Sequence, residues 1–422
     1  MTDAMRSRAV FALAALASAC APEWVVWHGH TLDRKSDLRI VERGGRQHLL
    51  RDGRDLGAHG GIGVDSLTVT GDHIAYPARD GLAWRVYVDG IAEPGSWESV
   101  GVLALDERGE RAYAVERGGR WLVVARGRTH GPYDGVSEVG FDARGRAIWM
   151  AVAKAGPVTN VIVDGVSSAP WREVRDVRFS PVFRYVATSD KGESYVREGE
   201  VSAPFETIVE STDDGFIAKT KGRRVVFEGG TQVGEGEAHL LAAASGHFAF
   251  ARLGPGGERL VRDGAEDAAT WQSVDSVSIS ADGRHVGWVG RRNGDAVVVV
   301  DGHEEGSYAW ARAPVFAERA DAFAYVASMG GGAIVRGSQA RGAFDVIIED
   351  SLVISPDGAH WAAIAGYASN RRLYVVADGR PCGSFDLDEW LAERVRLHRQ
   401  DDGERSRQLA RAELARCYAP RP

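Results

Sequence analysis

Short runs of hydrophobic residues, some alternating with polar ones, recur along the whole chain and are separated by polar, glycine-containing turns. In residues 277–310, "VSIS" alternates with a period of two, and "HVGWVG" and "AVVVV" are apolar runs of strand length. No helical pattern of 10–15 residues falls between such runs, which argues against a fold of alternating strands and helices. The pattern predicts an all-β fold of short antiparallel strands.

A strand that ends in a turn glycine recurs ten times, at spacings of 30 to 42 residues. The ten glycines are Gly53, Gly90, Gly127, Gly165, Gly199, Gly229, Gly264, Gly302, Gly337 and Gly379. Six or seven residues later an aromatic residue follows in eight copies, namely Trp97, Tyr133, Trp171, Phe205, Trp271, Tyr308, Phe344 and Phe385. Units of this length with four short strands are typical of β-propeller blades. We therefore predict a β-propeller of about ten repeat units, and we expect the aromatic residues to pack structurally instead of stacking on a ligand.

Three segments carry a resemblance to a known class of propellers. "VRFSP" at 177–181, "VSISADG" at 277–283 and "LVISPDG" at 352–358 resemble the blade motif of TolB-type and WD-repeat-like bacterial β-propeller proteins. The resemblance covers about residues 38–385 and implies the fold, but it implies almost nothing about function. Ten units exceed the four to eight blades usual in one ring. One large ring, two tandem propellers, or a set that includes incomplete units all remain open.

The N-terminus resembles a bacterial lipoprotein signal. Arg6 and Arg8 precede an apolar stretch at 9–17, and small residues lead to Cys20, which in such signals is lipidated after cleavage. An ordinary signal peptide with an incidental cysteine is the alternative, whereas the apolar stretch is too short to span a bilayer. We predict a signal peptide at 1–19, a linker at 20–37 that contains His28 and His30, a propeller at 38–385 and a helical tail at 386–422.

Two further cysteines, Cys382 and Cys417, remain in the predicted exported chain. Paired cysteines are common in oxidising compartments, so we predict a disulfide that joins the tail to the last blade; two free thiols are the alternative. The tail itself shows helical spacing in "DLDEWLAERVRL" and again in "RSRQLARAELARC", where Leu409, Ala410 and Leu414 share one stripe.

No sequence motif for catalysis, nucleotide binding or metal binding stands out. "SPDGAHW" at 355–361 fails the sialidase Asp-box by one residue, and the Asp-Gly pairs suit hairpin turns better than they suit calcium. The net charge of −8 argues against a nucleic-acid partner. We expect no cofactor and no metal.

The predicted turns differ in charge. Those between the first and second and between the third and fourth strands are acid-rich, with residues such as Asp89, Asp301 and Asp357, whereas those between the second and third strands are base-rich. The basic set gives a candidate partner surface, with solvated turns as the alternative. It comprises Arg223, Arg224, Arg291, Arg292, Arg371 and Arg372.

These features predict a lipoprotein of the bacterial cell envelope, anchored through Cys20 and sorted to the outer membrane, facing the periplasm or the surface. Its propeller would be a non-enzymatic scaffold for a protein or an envelope polymer. The alternative is a glycan-active hydrolase or lyase with its site in the propeller channel.

Overall fold

A computed structural model describes residues 24–30, 36–153, 158–328, 332–336, 339–367, 372–386, 407 and 410. These residues form ten antiparallel sheets, each made of strands that are neighbours in the chain. We number the sheets 1 to 10 and letter their strands A to D in chain order. The chain divides into two compact units, one up to Pro170 and one from Trp171 onward.

The first unit holds sheets 1 to 4. Their strands are Trp24–His30, Asp37–Arg43, Arg46–Arg51 and Arg54–His59 in sheet 1; Gly61–Ile62 with Thr68–Thr70, His73–Asp80, Ala83–Val88 and Ile91–Ala92 in sheet 2; Ser99–Leu105, Arg111–Arg117, Arg120–Ala125 and Arg128–Tyr133 in sheet 3; and Gly135–Phe141, Ala147–Ala153, Val158–Val163 and Val166–Ser167 in sheet 4.

The second unit holds sheets 5 to 10. Their strands are Glu173–Arg178, Arg184–Ser189, Gly192–Arg197 and Glu200–Val201 in sheet 5; Thr207–Ser211, Gly215–Thr220, Arg223–Glu228 and Thr231–Glu235 in sheet 6; Glu237–Ala244, His247–Gly254, Gly257–Arg262 and Ala265–Glu266 in sheet 7; Val274–Ile279, Val286–Arg292, Asp295–Val300 and His303–Tyr308 in sheet 8; Val315–Phe316, Phe323–Ser328, Gly332–Arg336 and Gln339–Phe344 in sheet 9; and Val346–Ile347 with Val353–Ile354, Trp361–Tyr367, Arg372–Ala377 and Arg380–Asp386 in sheet 10.

Strand A is interrupted in sheets 2 and 10. In each of them a 3₁₀ turn, Val64–Ser66 or Glu349–Ser351, separates two short pieces that both pair with strand B. Every sheet within the described ranges therefore has a complete set of four strand positions, so none of the ten units is incomplete. The protein is an all-β protein built from propeller blades, as the repeat predicts.

The predicted C–D hairpins have the backbone of two-residue turns in which both residues take the left-handed conformation. In sheet 8, Asp301 has φ of 49° and Gly302 has φ of 83°. This geometry matches the twist of the flanking strands and favours Asp-Gly. The Asp301 carboxylate also accepts the Val286 N–H at 3.0 Å, so the side chain fixes the start of strand B. The same hydrogen bond recurs at Asp89, Asp164 and Asp378.

Within each unit, the hydrophobic core lies between successive sheets. Alanines of one sheet face large residues of the next, so small and large side chains interdigitate. Between sheets 7 and 8, for example, the buried cluster consists of Ala249, Ala251, Leu260, Trp271, Val274, Val286, Trp288, Val297 and Val299. The repeat aromatic residues Trp97, Trp271 and Phe344 are buried, which confirms their packing role.

The first sheet begins inside the range that the sequence assigns to a linker. Trp24–His30 pairs with strand B of sheet 1, from Trp24 opposite Glu42 to His30 opposite Asp37. The alternation of this stretch is weak and interrupted by a bulge at Val26, which is why its strand character is hard to see in sequence. His28 and His30 thus belong to a strand of the sheet.

Within the predicted tail of 386–422, the structure describes Asp386, which ends strand D of sheet 10, and Arg407 and Ala410, which are helical. Ala410 is buried and packs with Val353, Ile364 and Val375 of sheet 10, as expected for the apolar stripe on which it was placed. Cys382 lies in strand D of sheet 10. Cys20, Cys417 and the signal segment lie outside the described residues, so their roles stay predictions.

Candidate functional site

The predicted basic surface lies at the B–C turns of the second unit. In sheet 6 the hairpin Thr220–Arg223 exposes Lys221 and Arg223, next to exposed Lys219. Arg224 instead turns toward sheet 7, where its guanidinium donates to the Ala238 carbonyl at 2.9 Å. Of the predicted pair Arg223 and Arg224, only Arg223 is therefore fully exposed to solvent.

In sheet 8 the two predicted arginines have different surroundings. Arg291 forms an ion pair with Asp275 at 2.6 Å and donates to the carbonyls of Gly294 and Ala309 at 3.1 Å. Arg291 thus holds the B–C turn against strand A and against the residue that follows strand D, and we assign it a mainly structural role.

Arg292 covers a buried aromatic ring. Its guanidinium lies 4.5 Å from the ring centroid of Trp271 and also pairs with Glu304 at 2.8 Å. Arg117 covers Trp97 in the same way in the first unit, at 4.3 Å. Stacked arginine of this kind is held in one orientation while part of its charge stays accessible, a geometry suited to recognition.

In sheet 10 only part of the predicted pair is described. Arg372 begins strand C and is exposed, whereas Arg371 lies outside the described residues. We call Lys219, Lys221, Arg223, Arg292 and Arg372 the basic turn surface; all five lie at the B–C ends of their sheets.

A set of carboxylates, missed in the sequence, joins one sheet to the next. Glu193 of sheet 5 accepts the Ile208 N–H at 2.6 Å and the Thr207 hydroxyl at 2.8 Å, both from sheet 6, and pairs with Arg175 at 2.7 Å. Burial opposes ionisation, but these hydrogen bonds and the Arg175 charge outweigh it and lower the pKa of Glu193.

Glu258 of sheet 7 repeats the arrangement. Its carboxylate accepts the Val274 N–H of sheet 8 at 2.6 Å and lies 3.0 Å from the His239 ring. Gln47 does the same in sheet 1, where its amide oxygen accepts the Ile62 N–H at 2.7 Å. A polar residue near the start of strand C is the only sequence sign of this contact, and it is too common to be recognised alone.

Glu210 differs from this pattern, because it lies in strand A of sheet 6 and bonds to strand A of sheet 7. Its two oxygens accept the N–H groups of Leu240 and Leu241, each at 2.9 Å. Burial raises the pKa of Glu210 although these bonds oppose the shift. Leu240 has φ of 58°, a conformation that is strained for a large side chain, and it sits at a bulge in strand A of sheet 7.

A histidine–aspartate pair recurs at the other end of four sheets. The ring Nδ1 lies 2.7–3.0 Å from the carboxylate of the C–D turn aspartate in the pairs His73–Asp89, His247–Asp263, His285–Asp301 and His360–Asp378. The sequence holds a signal for them, since a histidine precedes the turn aspartate by 16 or 18 residues. Within the described ranges no three His, Cys, Asp or Glu side chains are grouped to hold a metal ion.

No protein-family model and no curated protein matches the chain. Among solved structures, the Dos1 propeller is similar at 12% identity and a TM-score of 0.30, over 64% of this chain and 90% of that one. The β-propeller domain of the Trilobed protease from Pyrococcus furiosus is similar at 10% identity and a TM-score of 0.23, over 58% of this chain and 96% of that one. Across the described residues, no helix is long and apolar enough to cross a membrane.

Proposed function

We propose that the protein is a lipid-anchored scaffold of the bacterial cell envelope, which binds a protein or an anionic envelope polymer through its basic turn surface and catalyses no reaction. The propeller fold is in general suited to binding, because its turns present many side chains on a rigid framework. The basic turn surface carries the proposal, since it places exposed cations at the same end of three sheets in a protein whose net charge is −8.

The charge of this surface indicates the chemical class of the partner. Exposed arginine and lysine favour carboxylate or phosphate groups. The ring-stacked Arg292 shows this preference within the protein, since its guanidinium pairs with the Glu304 carboxylate. The sequence of the N-terminus supports the location, since Arg6, Arg8 and Cys20 follow the lipoprotein pattern.

Charge reversal tests the scaffold. We expect Lys221→Glu combined with Arg223→Glu to lower partner recovery from detergent-solubilised envelopes by about tenfold, which corresponds to roughly 1.4 kcal/mol of binding free energy. Recovery is measured by quantitative mass spectrometry after capture of the full-length protein. The matched control reverses Arg284 and Arg319, two exposed arginines at the A–B turns of sheets 8 and 9. Equal recovery with both double variants would exclude the basic turn surface as the binding site.

A glycan-active hydrolase or lyase is the second candidate, and Glu210 is the observation that favours it. A general acid for glycoside cleavage needs a carboxyl group with a raised pKa, which Glu210 has. Both of its oxygens are, however, already bonded to backbone N–H groups, which suits a structural role better. Release of reducing ends from envelope polysaccharide by the purified protein, lost in Glu210→Gln, would replace the scaffold proposal with this one.

A further inference from the structure

Three aliphatic side chains are exposed at one end of sheets 1 and 2. Leu82, at the B–C turn of sheet 2, is 95% exposed, and Val25 and Val26, near the start of strand A in sheet 1, are 56% and 51% exposed. Single exposed aliphatic residues are ordinary in soluble proteins, but a group at one edge marks a contact surface.

An ion pair brings the two turns together. Arg46, at the B–C turn of sheet 1, pairs with Asp80 of sheet 2 at 2.7 Å and also donates to the Ala58 carbonyl. Leu82 follows Asp80 by two residues. The start of strand A lies at this same turn, because Trp24 pairs with Glu42 beside it. The exposed aliphatic residues of both sheets therefore occupy one end of the first unit.

The charge of this end favours an anionic surface. Residues 42–47 and 79–85 contain four arginines, Arg43, Arg46, Arg79 and Arg85, against the two acids Glu42 and Asp80, and a third carboxylate, that of Asp55, lies 3.9 Å from Arg43. Arginine at the headgroups and aliphatic side chains below them is the arrangement by which soluble surfaces rest on a bilayer.

The position of the proposed anchor indicates that this end of the first unit contacts the bilayer. Only three residues separate Cys20 from Trp24. Four residue steps span at most about 14 Å even when fully extended. A lipid on Cys20 would thus hold the Trp24 end of strand A within that distance of the membrane surface.

We propose that the B–C end of sheets 1 and 2 rests on the phospholipid bilayer that holds the anchor, with Leu82, Val25 and Val26 at the membrane interface and Arg46 and Arg79 among the headgroups. This inference rests on the lipid anchor of the proposed function. We call these five residues the bilayer-facing surface. The C–D turns of the same sheets point away from the membrane.

Amide hydrogen exchange on the full-length lipoprotein tests the inference. The protein is reconstituted in vesicles of phosphatidylethanolamine and phosphatidylglycerol and compared with the unlipidated Cys20→Ala chain in buffer. We expect exchange in residues 42–47 and 79–84 to slow by about tenfold, which corresponds to roughly 1.4 kcal/mol of added protection. Residues 88–92, at the opposite end of sheet 2, are expected to exchange equally in both samples.

The mass of the N-terminal peptide distinguishes failure of the proposed lipid anchor from failure of this inference alone. An unacylated Cys20 would overturn the anchor and the inference with it. An acylated Cys20 with equal exchange at both ends of sheet 2, or with slowing at residues 88–92, would overturn the inference alone. Slowing that occurs in native envelope fragments but not in pure lipid vesicles would show that the surface meets a protein instead of the bilayer, and would overturn it too.

A substitution pair sharpens the result. Leu82→Asp is expected to abolish the slowing at residues 79–84, whereas Leu253→Asp, at an exposed leucine of sheet 7, is expected to leave it unchanged. Both leucines are exposed, so neither change disturbs the core. Retained slowing in Leu82→Asp would contradict the placement of Leu82 at the interface.

Discussion

At the residue scale, one aspartate serves several structural needs at once. Asp301 adopts a left-handed backbone conformation, accepts the Val286 N–H and lies 2.7 Å from the His285 ring. Aspartate tolerates this conformation better than most residues and bonds nearby backbone, which explains its recurrence in the turns. The Asp-Gly repeat is therefore a structural device, and its acidic character needs no ligand.

A second carboxylate, that of Asp321, reaches His285 in addition to Asp301. The hydrogen bond to Asp301 raises the pKa of His285, burial opposes the shift, and Asp321 of sheet 9 adds to it from 3.2 Å. A raised pKa means that the fold stabilises the protonated ring. This stabilisation is fully present below the unfolded value of about 6.5 and is lost as pH rises through the folded pKa.

We expect His285→Gln to lower the free energy of unfolding by about 0.5–1 kcal/mol below about pH 6.5, and by progressively less as the pH rises through the folded pKa. The effect is modest because the histidine–aspartate pair is partly exposed. Urea denaturation of both proteins across the pH range measures the difference. Asp321→Asn serves as a partial variant and should reduce the pH dependence without removing it. A difference that grows with rising pH would contradict this assignment.

At the element scale, close approach between neighbouring sheets adds a second requirement for glycine in the A–B turn of sheet 10. In "SPDGAHW", Gly358 has φ of 70°, and a Cβ there would lie 2.6 Å from the Ala322 Cβ of sheet 9. The turn residues Ser355 and Asp357 only close the loop, through a hydrogen bond at 2.6 Å. The glycine is needed both for the turn and for the contact with the next sheet.

A comparison of two glycines of sheet 8 distinguishes the turn conformation from the close approach to a neighbouring sheet. Both Gly283 and Gly302 have positive φ, so alanine at either position should lower stability by about 1–2 kcal/mol. A Cβ at Gly283 would also lie 2.3 Å from the His247 ring of sheet 7, whereas Gly302 faces open space. We expect Gly283→Ala to lower the free energy of unfolding by roughly 1–3 kcal/mol more than Gly302→Ala. Equal losses in urea denaturation would show that His247 moves aside freely.

At the scale of the whole molecule, the sheets fall into two units of four and six in the described chain. In the second unit the tail contacts the last sheet, because Ala410 is buried among residues of sheet 10. Cys417 follows Ala410 by seven residues, and Cys382 lies in strand D of that sheet. The packing of Ala410 supports the predicted link between tail and blade.

We expect non-reducing peptide mapping to find Cys382 and Cys417 in one disulfide. Closing the loop between them should contribute about 3–4 kcal/mol, so Cys417→Ser should lower the denaturation midpoint of the second unit. Cys20→Ser, which lies outside this loop, provides the control and should leave that midpoint unchanged. Two freely alkylated thiols in the native protein would disprove the bridge.

The sequence by itself determined the blade. Period-two alternation, turn glycines and the recurring aromatic predicted the strands, and in residues 277–310 the observed strands fall where those runs lie, because strand pairing and hairpin turns depend on neighbours in the chain. It also located the basic residues at the B–C turns.

Only the tertiary structure decided which of those residues remain accessible. Arg291 is engaged by Asp275 and Arg224 by Ala238, and Glu193 and Glu258 join successive sheets through contacts that no local pattern encodes. The position of Leu82 beside the N-terminal strand is also decided by tertiary structure, because it depends on the Arg46–Asp80 pair. These features arise from contacts between residues 14 to 34 positions apart, and so they depend on packing that the sequence pattern does not specify.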